Sequence, residues 1–483
     1  MRACYSEAAR RSVRKGAWYK FRPMALFIHH SRMPAPCERL AEWHFRPGAL
    51  ERLIPPWVRA SIVDPGAGVQ EGSVATIELR SGPLRARWKA RHSAVEPGRG
   101  FVDEQLSGPF SMWRHQHRFL PQDERHSLLE DHLEYLVPGG AAGRLVAGPW
   151  VRSQLRRTFE FRHRRTASDL RRHMEHPTAD PLRVAVSGAS GLVGSALCPF
   201  LSAGGHQIRR IVRGRPDHER LDIGWDQSNG ALERRFLEGV DAVVHLAGAG
   251  IADARWTPAR REELRSSRIL RTRQLAEALA SLSAPPRVLV AASAIGWYGD
   301  RGEREVDERA ERGQGFLPDL CAEWERATQP AEMAGIRVVH LRIGLVLSAR
   351  GGALRPLRRI FSLGLGGPVG SGRQGMSWIA LDDLLGAILF SIVTPSLYGA
   401  VNATAPTPRS NRDFGRALAH VLRRPFLIPA PGPAVRAALG EMGDALLLRG
   451  AFVRPMRLLE HGFRFQFPDL EPALRFELGR FLD

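Results

Sequence analysis

The sequence predicts an α/β protein in two parts: a doubly wound parallel-sheet domain, preceded by an α+β domain built on an antiparallel sheet. The first observation is length, because 483 residues exceed what one hydrophobic core usually organises. The second is a series of short apolar segments separated by turn residues between Met24 and about Leu170, which is typical of antiparallel strands. The third is a set of β-branched runs joined by helix-like segments after Arg183, which is typical of buried parallel strands.

Composition and charge exclude several classes of protein. The net charge of +20 comes almost entirely from arginines spread along the chain, since Lys15, Lys20 and Lys89 are the only lysines. No helix-turn-helix, zinc-finger or RNA-binding signature accompanies this charge, so we expect no nucleic-acid partner. The four cysteines lie far apart without a C-x-x-C pair, which indicates a cytoplasmic protein. No apolar run approaches the ~20 residues of a membrane helix, so we expect no integral membrane segment.

The first part of the chain is divided by composition. Residues 1–23 are basic and lack apolar periodicity, so they are predicted to be a disordered extension or a misassigned start ahead of Met24. Residues 24–172 form the antiparallel domain, and the spacing of Val151, Leu155 and Phe159 predicts a long helix across its sheet. Residues 173–182 contain two prolines and are predicted to be a linker. The two parts are therefore expected to fold separately.

A glycine-rich turn opens the second domain, residues 183–483. The strand RVAV leads directly into SGASGLVG, and helical spacing follows. In this context Gly188 permits a tight turn, Gly191 lets the backbone approach a pyrophosphate, and Gly194 lets the helix pack on the strand. We therefore predict a Rossmann domain. Its cofactor-binding turn also includes Ser190, Leu192 and Val193.

A second glycine-rich turn follows a later strand and extends the predicted cofactor site. It contains Leu246, Ala247 and Gly248, although a plain loop is the alternative interpretation.

The residue after the second strand predicts the type of dinucleotide. An NAD site usually has a carboxylate about 20 residues beyond the last glycine. Counting from Gly194 leads to Arg213, with no acid before Asp217. A guanidinium at this place can hold a 2′-phosphate, and Arg215 can assist it. The predicted cofactor is therefore NADP(H).

These motifs resemble those of the extended short-chain dehydrogenase/reductases, and specifically an atypical branch called the epimerase family. The resemblance depends on SGASGLVG, VVHLAGAGI, AASAIGWYGDRG, LRIGLVLS and HGFRFQFPDLEPAL, and it covers nearly all of the second domain. It implies a C-terminal cap from about residue 411 that closes over the substrate. It also implies an NAD(P)-dependent epimerase or oxidoreductase.

The catalytic pattern of that superfamily is incomplete here. A Tyr-x-x-x-Lys pair cannot exist, because no lysine follows Lys89. The resemblance assigns Ser293 to the serine that hydrogen-bonds the reacting carbonyl or alcohol, and Ser293 also belongs to the predicted cofactor site. Tyr298 and Glu323 are the candidate acid/base residues, with packing and a solvated helix face as their alternatives.

The predicted substrate residues lie in the loop GSGRQGMSWI. Gln374, Ser377 and Trp378 match positions that line the substrate cleft in relatives. The sequence does not name the substrate, which is expected to be a small or lipid-like molecule.

Residues 24–172 resemble a START-like helix-grip domain through EWHFRPGALERLIPPW and EDHLEYLVPGG. The resemblance implies a curved sheet that grips a long helix around an apolar cavity. Trp113, His115 and His117 alternate along one predicted strand and so share a face. No third ligand with suitable spacing is evident, so we predict packing rather than a metal site.

Three functions remain possible from the sequence. The first is an NADP(H)-dependent oxidoreductase or epimerase. The second is an NADP(H)-sensing regulatory protein without turnover, consistent with the missing tyrosine and lysine pair. The third is a hydrophobic-ligand carrier whose Rossmann half is chiefly structural.

Overall fold

A computed structural model of the chain describes residues 24–226 and 230–481. The extension predicted for residues 1–23 lies outside the described residues. The N-terminal half forms one seven-stranded sheet in the order β1-β7-β6-β5-β4-β3-β2, with every neighbouring pair antiparallel. Its elements are β1 (Ala25–Met33), α1 (Cys37–Phe45), α2 (Ala49–Leu53), β2 (Ala60–Asp64), β3 (Val74–Ser81), β4 (Leu84–Glu96), β5 (Gly100–Ser107), β6 (Met112–Pro121), β7 (Ser127–Leu136) and α3 (Gly140–Glu175).

Strict alternation explains why the central strands form this sheet. In β6 and β7 every second residue is buried, because successive side chains of a strand point to opposite faces. The antiparallel sheet therefore agrees with the sequence pattern.

The helix α3 differs from the predicted arrangement. Its first half packs on the sheet through Val151, Leu155 and Phe159, as the spacing predicts. From Phe161 onward, however, α3 also contacts the second half of the chain, where Phe161 joins the core around Trp378. The helix also continues to Glu175, so the predicted linker at 173–182 begins inside it.

The second half contains a seven-stranded parallel sheet in the order β10-β9-β8-β11-β12-β14-β18. The reversal of strand order at β8 is the switch point of a doubly wound fold. The elements up to the last strand of this sheet are β8 (Arg183–Ser187), α4 (Gly194–Ala203), β9 (Gln207–Val212), β10 (Ile223–Gly224), β11 (Ala242–His245), α5 (Pro258–Arg265), α6 (Arg271–Ala280), β12 (Val288–Ala294), β13 (Glu305–Val306), α7 (Phe316–Arg326), α8 (Gln329–Met333), β14 (Arg337–Ile343), β15 (Leu345–Leu347), α9 (Leu354–Ser362), β16 (Gly375–Met376), β17 (Trp378–Ala380), α10 (Leu381–Val393) and β18 (Gly399–Ala403).

The chain ends in a cap that is assembled from two segments. Its C-terminal elements are β19 (Arg409–Ser410), α11 (Asn411–Leu422), α12 (Gly432–Gly443), β20 (Phe452–Val453), α13 (Met456–Glu460) and α14 (Leu470–Leu478). Phe361 of α9 and Trp378 of β17 share a core with Phe414 and Leu474 of these elements. Residues before the predicted start at about 411 therefore contribute to the cap as well.

Buried ion pairs join the two halves. Arg52 of α2 contacts Asp169 of α3 at 2.6 Å and Asp382 of α10 at 3.0 Å. Arg172 of α3 contacts Asp383 at 2.8 Å. All five side chains are at most 5% exposed. The halves thus share a charged interior, which the expectation of separate folding did not anticipate.

Candidate dinucleotide site

The glycine-rich turn lies between β8 and α4 at the carboxyl edge of the parallel sheet. Gly188 has φ of +72°, and a Cβ on it would lie 2.8 Å from the carbonyl carbon of Leu246. A Cβ on Gly194 would lie 2.3 Å from the Gly188 oxygen. Both positions therefore exclude any larger side chain. The first turn of α4 opens onto this edge, where backbone amides can bind a phosphate.

The rest of the turn leaves space for a ligand. Ser190 and Gly191 are exposed, while Leu192 and Val193 are partly buried. The Gly191 amide donates to the Gly188 carbonyl at 2.9 Å and closes the turn. This is the shape that the sequence predicts.

The second predicted turn is brought next to the first. Leu246 and Ala247 form the surface that Gly188 approaches most closely, and Gly248 is exposed beside them. The guanidinium of the mostly buried Arg268 donates to the Ala249 carbonyl at 2.8 Å. The two turns therefore make one continuous cradle.

A buried row of hydrogen-bonded polar side chains lies next to the two glycine-rich turns. Ser187 and His245 are register partners on β8 and β11, and Ser187 Oγ lies 2.6 Å from His245 Nδ1. The other ring nitrogen of His245 lies 3.0 Å from Thr272 Oγ1, to which Trp324 Nε1 also donates at 2.9 Å. Burial lowers the pKa of His245 to about 4, so the ring is neutral. Sequence patterns do not reveal these contacts, because Ser187, His245, Thr272 and Trp324 are far apart along the polypeptide.

Arg213 follows β9 and is exposed, as its predicted role requires. It lines a surface cavity of about 500 Å³ together with Pro216 and Trp225. Asp226 and Glu233 line the same cavity. The spacing from Gly194 to Arg213 did not predict these two acids.

Ser293 is the centre of a polar cluster at the carboxyl ends of β12, β14 and β18. Ser293, Arg342 and Asn402 are register neighbours on these three strands. Ser293 Oγ donates to Glu325 Oε1 at 2.7 Å. Arg342 donates to both carboxylate oxygens of Glu325, at 2.8 and 2.9 Å. The cluster thus places the Glu325 carboxylate against the hydroxyl of Ser293.

Glu325, rather than the predicted Glu323, contacts Ser293. Glu323 pairs with Arg265 at 2.5 Å, and its side chain is 34% exposed. The two glutamates are two residues apart on α7, so they point to different sides of the helix. The sequence predicted Glu323 rather than Glu325, because it does not show which face of α7 points toward Ser293.

Tyr298 is fully buried, which differs from the accessible acid that the sequence suggested. Its hydroxyl donates to Asn402 Oδ1 at 2.7 Å and accepts from Arg342 Nη1 at 3.1 Å. Burial raises the pKa of Tyr298 to about 12. Its place in the structure matches the packing alternative.

Leu317 and Cys321 lie about one turn apart on α7. Both side chains lie next to Gly296, in the loop after β12. Cys321 is buried, and burial raises the pKa of its thiol to about 12. This thiol is therefore protonated at neutral pH.

The three predicted substrate residues are buried, and their polar atoms hold the cap together. Gln374 Nε2 donates to the carbonyls of Val369 and Leu447. Ser377 Oγ donates to the Ala451 carbonyl at 2.8 Å. Trp378 has no exposed surface and belongs to the cap core. Ser377 and Trp378 are therefore packed inside the cap, and their assignment to the substrate cleft stays a prediction.

In the N-terminal half, His115 and His117 share the buried face of β6, as the alternation predicts. They stand beside Asp103 of the neighbouring strand β5, and His117 Nε2 lies 3.1 Å from Asp103 Oδ2. Asp103 is the third ligand-type side chain that the sequence did not reveal, because strand pairing alone brings it there.

Among the described residues, no helix combines the length and the apolar composition needed to cross a membrane. The cytoplasmic location stays a prediction.

The fold and the glycine cradle define a dinucleotide-binding protein of the short-chain dehydrogenase/reductase type. A model of the NAD-dependent epimerase/dehydratase family matches residues 184–402, and a domain of unknown function matches residues 430–477. An epimerase family protein of Mycobacterium bovis is 44% identical over 297 residues, which are 62% of this chain and 98% of that protein. The chain belongs to the epimerase family.

Two solved structures extend this comparison. The nucleoside-diphosphate sugar epimerase of Corynebacterium glutamicum is similar over 94% of this chain and 90% of its own, with 32% identity and a TM-score of 0.78. The human epimerase family protein SDR39U1, crystallised with NADPH, is similar over 61% of this chain and 98% of its own, with 33% identity and a TM-score of 0.57. The first likeness therefore reaches into the N-terminal half.

Proposed function

We propose that the chain is an NADP(H)-dependent oxidoreductase or epimerase in which Ser293 and Glu325 move the proton. The observation that carries the proposal is the buried Ser293 hydroxyl, which donates to Glu325 at the carboxyl end of β12 in the sheet that bears the glycine cradle. The substrate is proposed to be a small or lipid-like molecule.

The cradle fits a dinucleotide. Gly188 and Gly194 let the turn close tightly, because a Cβ on either would meet backbone atoms within 2.8 Å. The exposed Ser190 and Gly191 then leave the backbone of the turn accessible to a pyrophosphate. When bound, the nicotinamide supplies hydride donation or acceptance. Ser190, Gly191, Leu192 and Val193 would contact the phosphates. Leu246, Ala247 and Gly248 would lie along the rest of the cofactor.

A preference for NADP(H) over NAD(H) rests on Arg213. Its exposed guanidinium follows β9, where the 2′ position of the adenosine ribose lies in Rossmann domains. The NADPH in the human relative supports this proposal. Asp226 and Glu233 reduce the expected preference for NADP(H), because carboxylates that line the cavity repel a phosphate.

Proton transfer would proceed through Ser293. A substrate hydroxyl hydrogen-bonded to Ser293 Oγ passes its proton to that oxygen as Ser293 passes its own to Glu325. The reverse path returns the proton to a carbonyl oxygen. Arg342 is a positioning residue, because its bidentate contact fixes the plane of the Glu325 carboxylate. This arrangement would replace the missing tyrosine and lysine pair.

Calorimetric titration tests the cofactor assignment. Charge-assisted contacts contribute about 1.5–3 kcal/mol, so Arg213→Ala should weaken NADPH binding about ten-fold or more while NADH binding stays nearly unchanged. Arg309→Ala is the control, since Arg309 is an exposed arginine that pairs with Glu460. Equal affinity of the unmodified protein for NADPH and NADH would contradict the preference.

Paired glutamate variants test the catalytic assignment. NADPH oxidation is followed by absorbance with a cell metabolite extract as the source of substrate. Ser293→Ala and Glu325→Gln should lower the rate by about 100-fold or more, while NADPH binding remains. Glu323→Gln should retain the rate. Loss of turnover in Glu323→Gln but not in Glu325→Gln would restore the prediction made from sequence and overturn the proposal.

A sensing function without turnover is the second candidate. The observation that favours it is the burial of Tyr298 in a domain that has no lysine. Tight NADPH binding with no oxidation by any fraction of the metabolite extract would support a sensor over an enzyme.

For the N-terminal half we propose a START-like hydrophobic-ligand role. What supports it is a cavity of about 930 Å³, whose lining includes Trp88, Phe101, Trp113, Leu53 and Ile77. Native mass spectrometry of the full chain should detect a retained apolar ligand. Absence of any bound molecule after incubation with a fatty-acid mixture would count against a carrier.

A further inference from the structure

The polar end of the N-terminal cavity carries a cluster of imidazoles and carboxylates. His115 and His117 project from β6, and Asp103 projects from the adjacent strand β5. One ligand-type atom from each of the three side chains lies within 4.8 Å of the other two. All three residues line the cavity wall. We propose that these residues bind one divalent first-row transition-metal ion, of the class of Zn²⁺ and Fe²⁺.

The facing atoms define the inner ligands. Asp103 Oδ2 lies 3.1 Å from His117 Nε2 and 3.9 Å from His115 Nδ1. Ligands about 2.0–2.2 Å from a tetrahedral zinc ion are separated by roughly 3.3–3.6 Å, so small side-chain movements bring these atoms into place. Two imidazoles and one carboxylate are a donor set used for catalytic zinc and for non-haem iron.

A second carboxylate lies behind both imidazoles, where metal sites usually have one. Asp131 Oδ1 is 2.9 Å from His115 Nε2 and 2.9 Å from His117 Nδ1. These are the ring nitrogens opposite to the proposed ligand atoms. Asp131 Oδ2 is in turn 2.6 Å from His163 Nε2. Such a carboxylate fixes the ring orientation and tautomer of a metal-binding histidine.

The second oxygen of Asp103 is held by another imidazole. Asp103 Oδ1, which is not one of the proposed ligand atoms, lies 2.6 Å from His92 Nδ1. This contact keeps the other carboxylate oxygen, Oδ2, directed at His115 and His117.

The charge of the cluster also fits a dication. Asp103 and Asp131 place two carboxylates in a largely buried region. Arg162 lines the same cavity but donates its Nε to the Leu53 carbonyl at 3.2 Å. A divalent ion would balance both carboxylates and leave the histidines neutral, which is the form that binds metals.

This site is separate from the dinucleotide cradle and goes beyond the proposed function. Three protein ligands leave a position free on the cavity side, where a water molecule or an oxygen atom of a cavity ligand can bind. The N-terminal half would then hold a metal centre at the base of an apolar cavity.

Metal titration of the full chain tests the proposal. Protein treated with a chelator is titrated with Co²⁺ and followed by visible absorption, then Zn²⁺ is added as a competitor. We expect one Co²⁺ per chain, displaced by Zn²⁺. Asp103→Asn and His117→Gln should lose this absorption. Asp131→Asn should weaken binding about 10–100-fold without changing the stoichiometry.

The matched control is the exposed pair formed by His126 and Asp123, whose atoms lie 2.9 Å apart. Variants His126→Gln and Asp123→Asn should bind Co²⁺ like the unmodified chain. NADPH titration of every variant reports whether the second half is folded. Uptake by the unmodified chain no greater than that of Asp103→Asn would overturn the proposal, as would loss of uptake only in the control variants.

X-ray absorption of the zinc-loaded, unmodified chain gives a test that needs no variant. The proposal requires nitrogen and oxygen ligands with two imidazoles. A spectrum dominated by sulfur, or by oxygen without imidazole, would refute it.

Discussion

Removing one buried cation at the junction of the two halves should destabilise the whole chain. Arg52 is 2% exposed and makes a bidentate contact with Asp169, at 2.7 and 2.6 Å. Arg52→Ala would leave Asp169, itself 1% exposed, without this partner. Asp382 would retain Arg165, at 2.9 Å. The unpaired Asp169 carboxylate is therefore the main source of the expected loss.

The expected loss in the free energy of unfolding depends on the burial of the ion pair. Breaking a buried ion pair by removing one partner costs about 3–5 kcal/mol, because the remaining charge stays desolvated. Replacing both charges, as in Arg52→Met with Asp169→Asn, should recover much of that loss. Arg39→Ala is the control, since Arg39 is 61% exposed in its pair with Glu42, and it should change stability by less than about 1 kcal/mol.

Urea unfolding measures the effect, with tryptophan fluorescence and circular dichroism as independent probes. Arg52→Ala should lower the transition midpoint and separate the unfolding of the two halves, because Arg52 also contacts Asp382 across their junction. A loss in Arg52→Ala no larger than in Arg39→Ala, with coincident transitions, would refute the reasoning. The variant with both Arg52→Met and Asp169→Asn then shows whether the lost stability came from the unpaired carboxylate of Asp169 or from lost packing.

Three other changes have defined outcomes. Gly194→Ala should lower the free energy of unfolding by about 1–3 kcal/mol and weaken NADPH binding in calorimetry, because the new Cβ would lie 2.3 Å from the Gly188 oxygen. Gly148→Ala is the control and should not destabilise the chain, because the space around Gly148 is open. Burial raises the pKa of Glu477 to about 7 in the folded protein, whereas a glutamate in the unfolded chain has a pKa of about 4.3. The protonated side chain therefore contributes fully to the free energy of unfolding below about pH 4.3. This contribution is lost as the pH rises through about 7, by up to roughly 3 kcal/mol. Glu477→Gln should remove that slope in unfolding measured from pH 4 to 8, and identical slopes for both proteins would exclude it. Tyr298→Phe should lower stability by about 1–3 kcal/mol and retain NADPH oxidation, whereas abolished turnover in a folded variant would make Tyr298 the acid.

Local chemistry made much of the fold predictable. The turn SGASGLVG has one structural solution once a strand precedes it and a helix follows, because the Gly188 and Gly194 positions leave no space for a Cβ. Short apolar segments separated by turn residues likewise predicted an antiparallel sheet, and in the structure β6 and β7 bury every second residue. The long helix was visible from the spacing of its first apolar residues.

The site was predictable only in part, because its pairings depend on which strands and helix faces become neighbours. The family resemblance assigned Ser293, but the sequence did not distinguish Glu325 from Glu323, because the orientation of α7 depends on tertiary packing. Ser377 and Trp378 occupy a loop that resembles a substrate loop, yet packing of the cap buries them.

The sequence by itself determined the periodic elements, the glycine turn and the absence of a tyrosine and lysine pair, because each depends on residues close together or on residue types that the chain lacks. Tertiary structure decided the contacts between distant residues. Asp103 reaches His117 through the pairing of β5 with β6, and Arg52 reaches Asp382 across 330 residues. Charged groups are normally solvated, so nothing local marks an aspartate as one that folding will bury beside a histidine or an arginine.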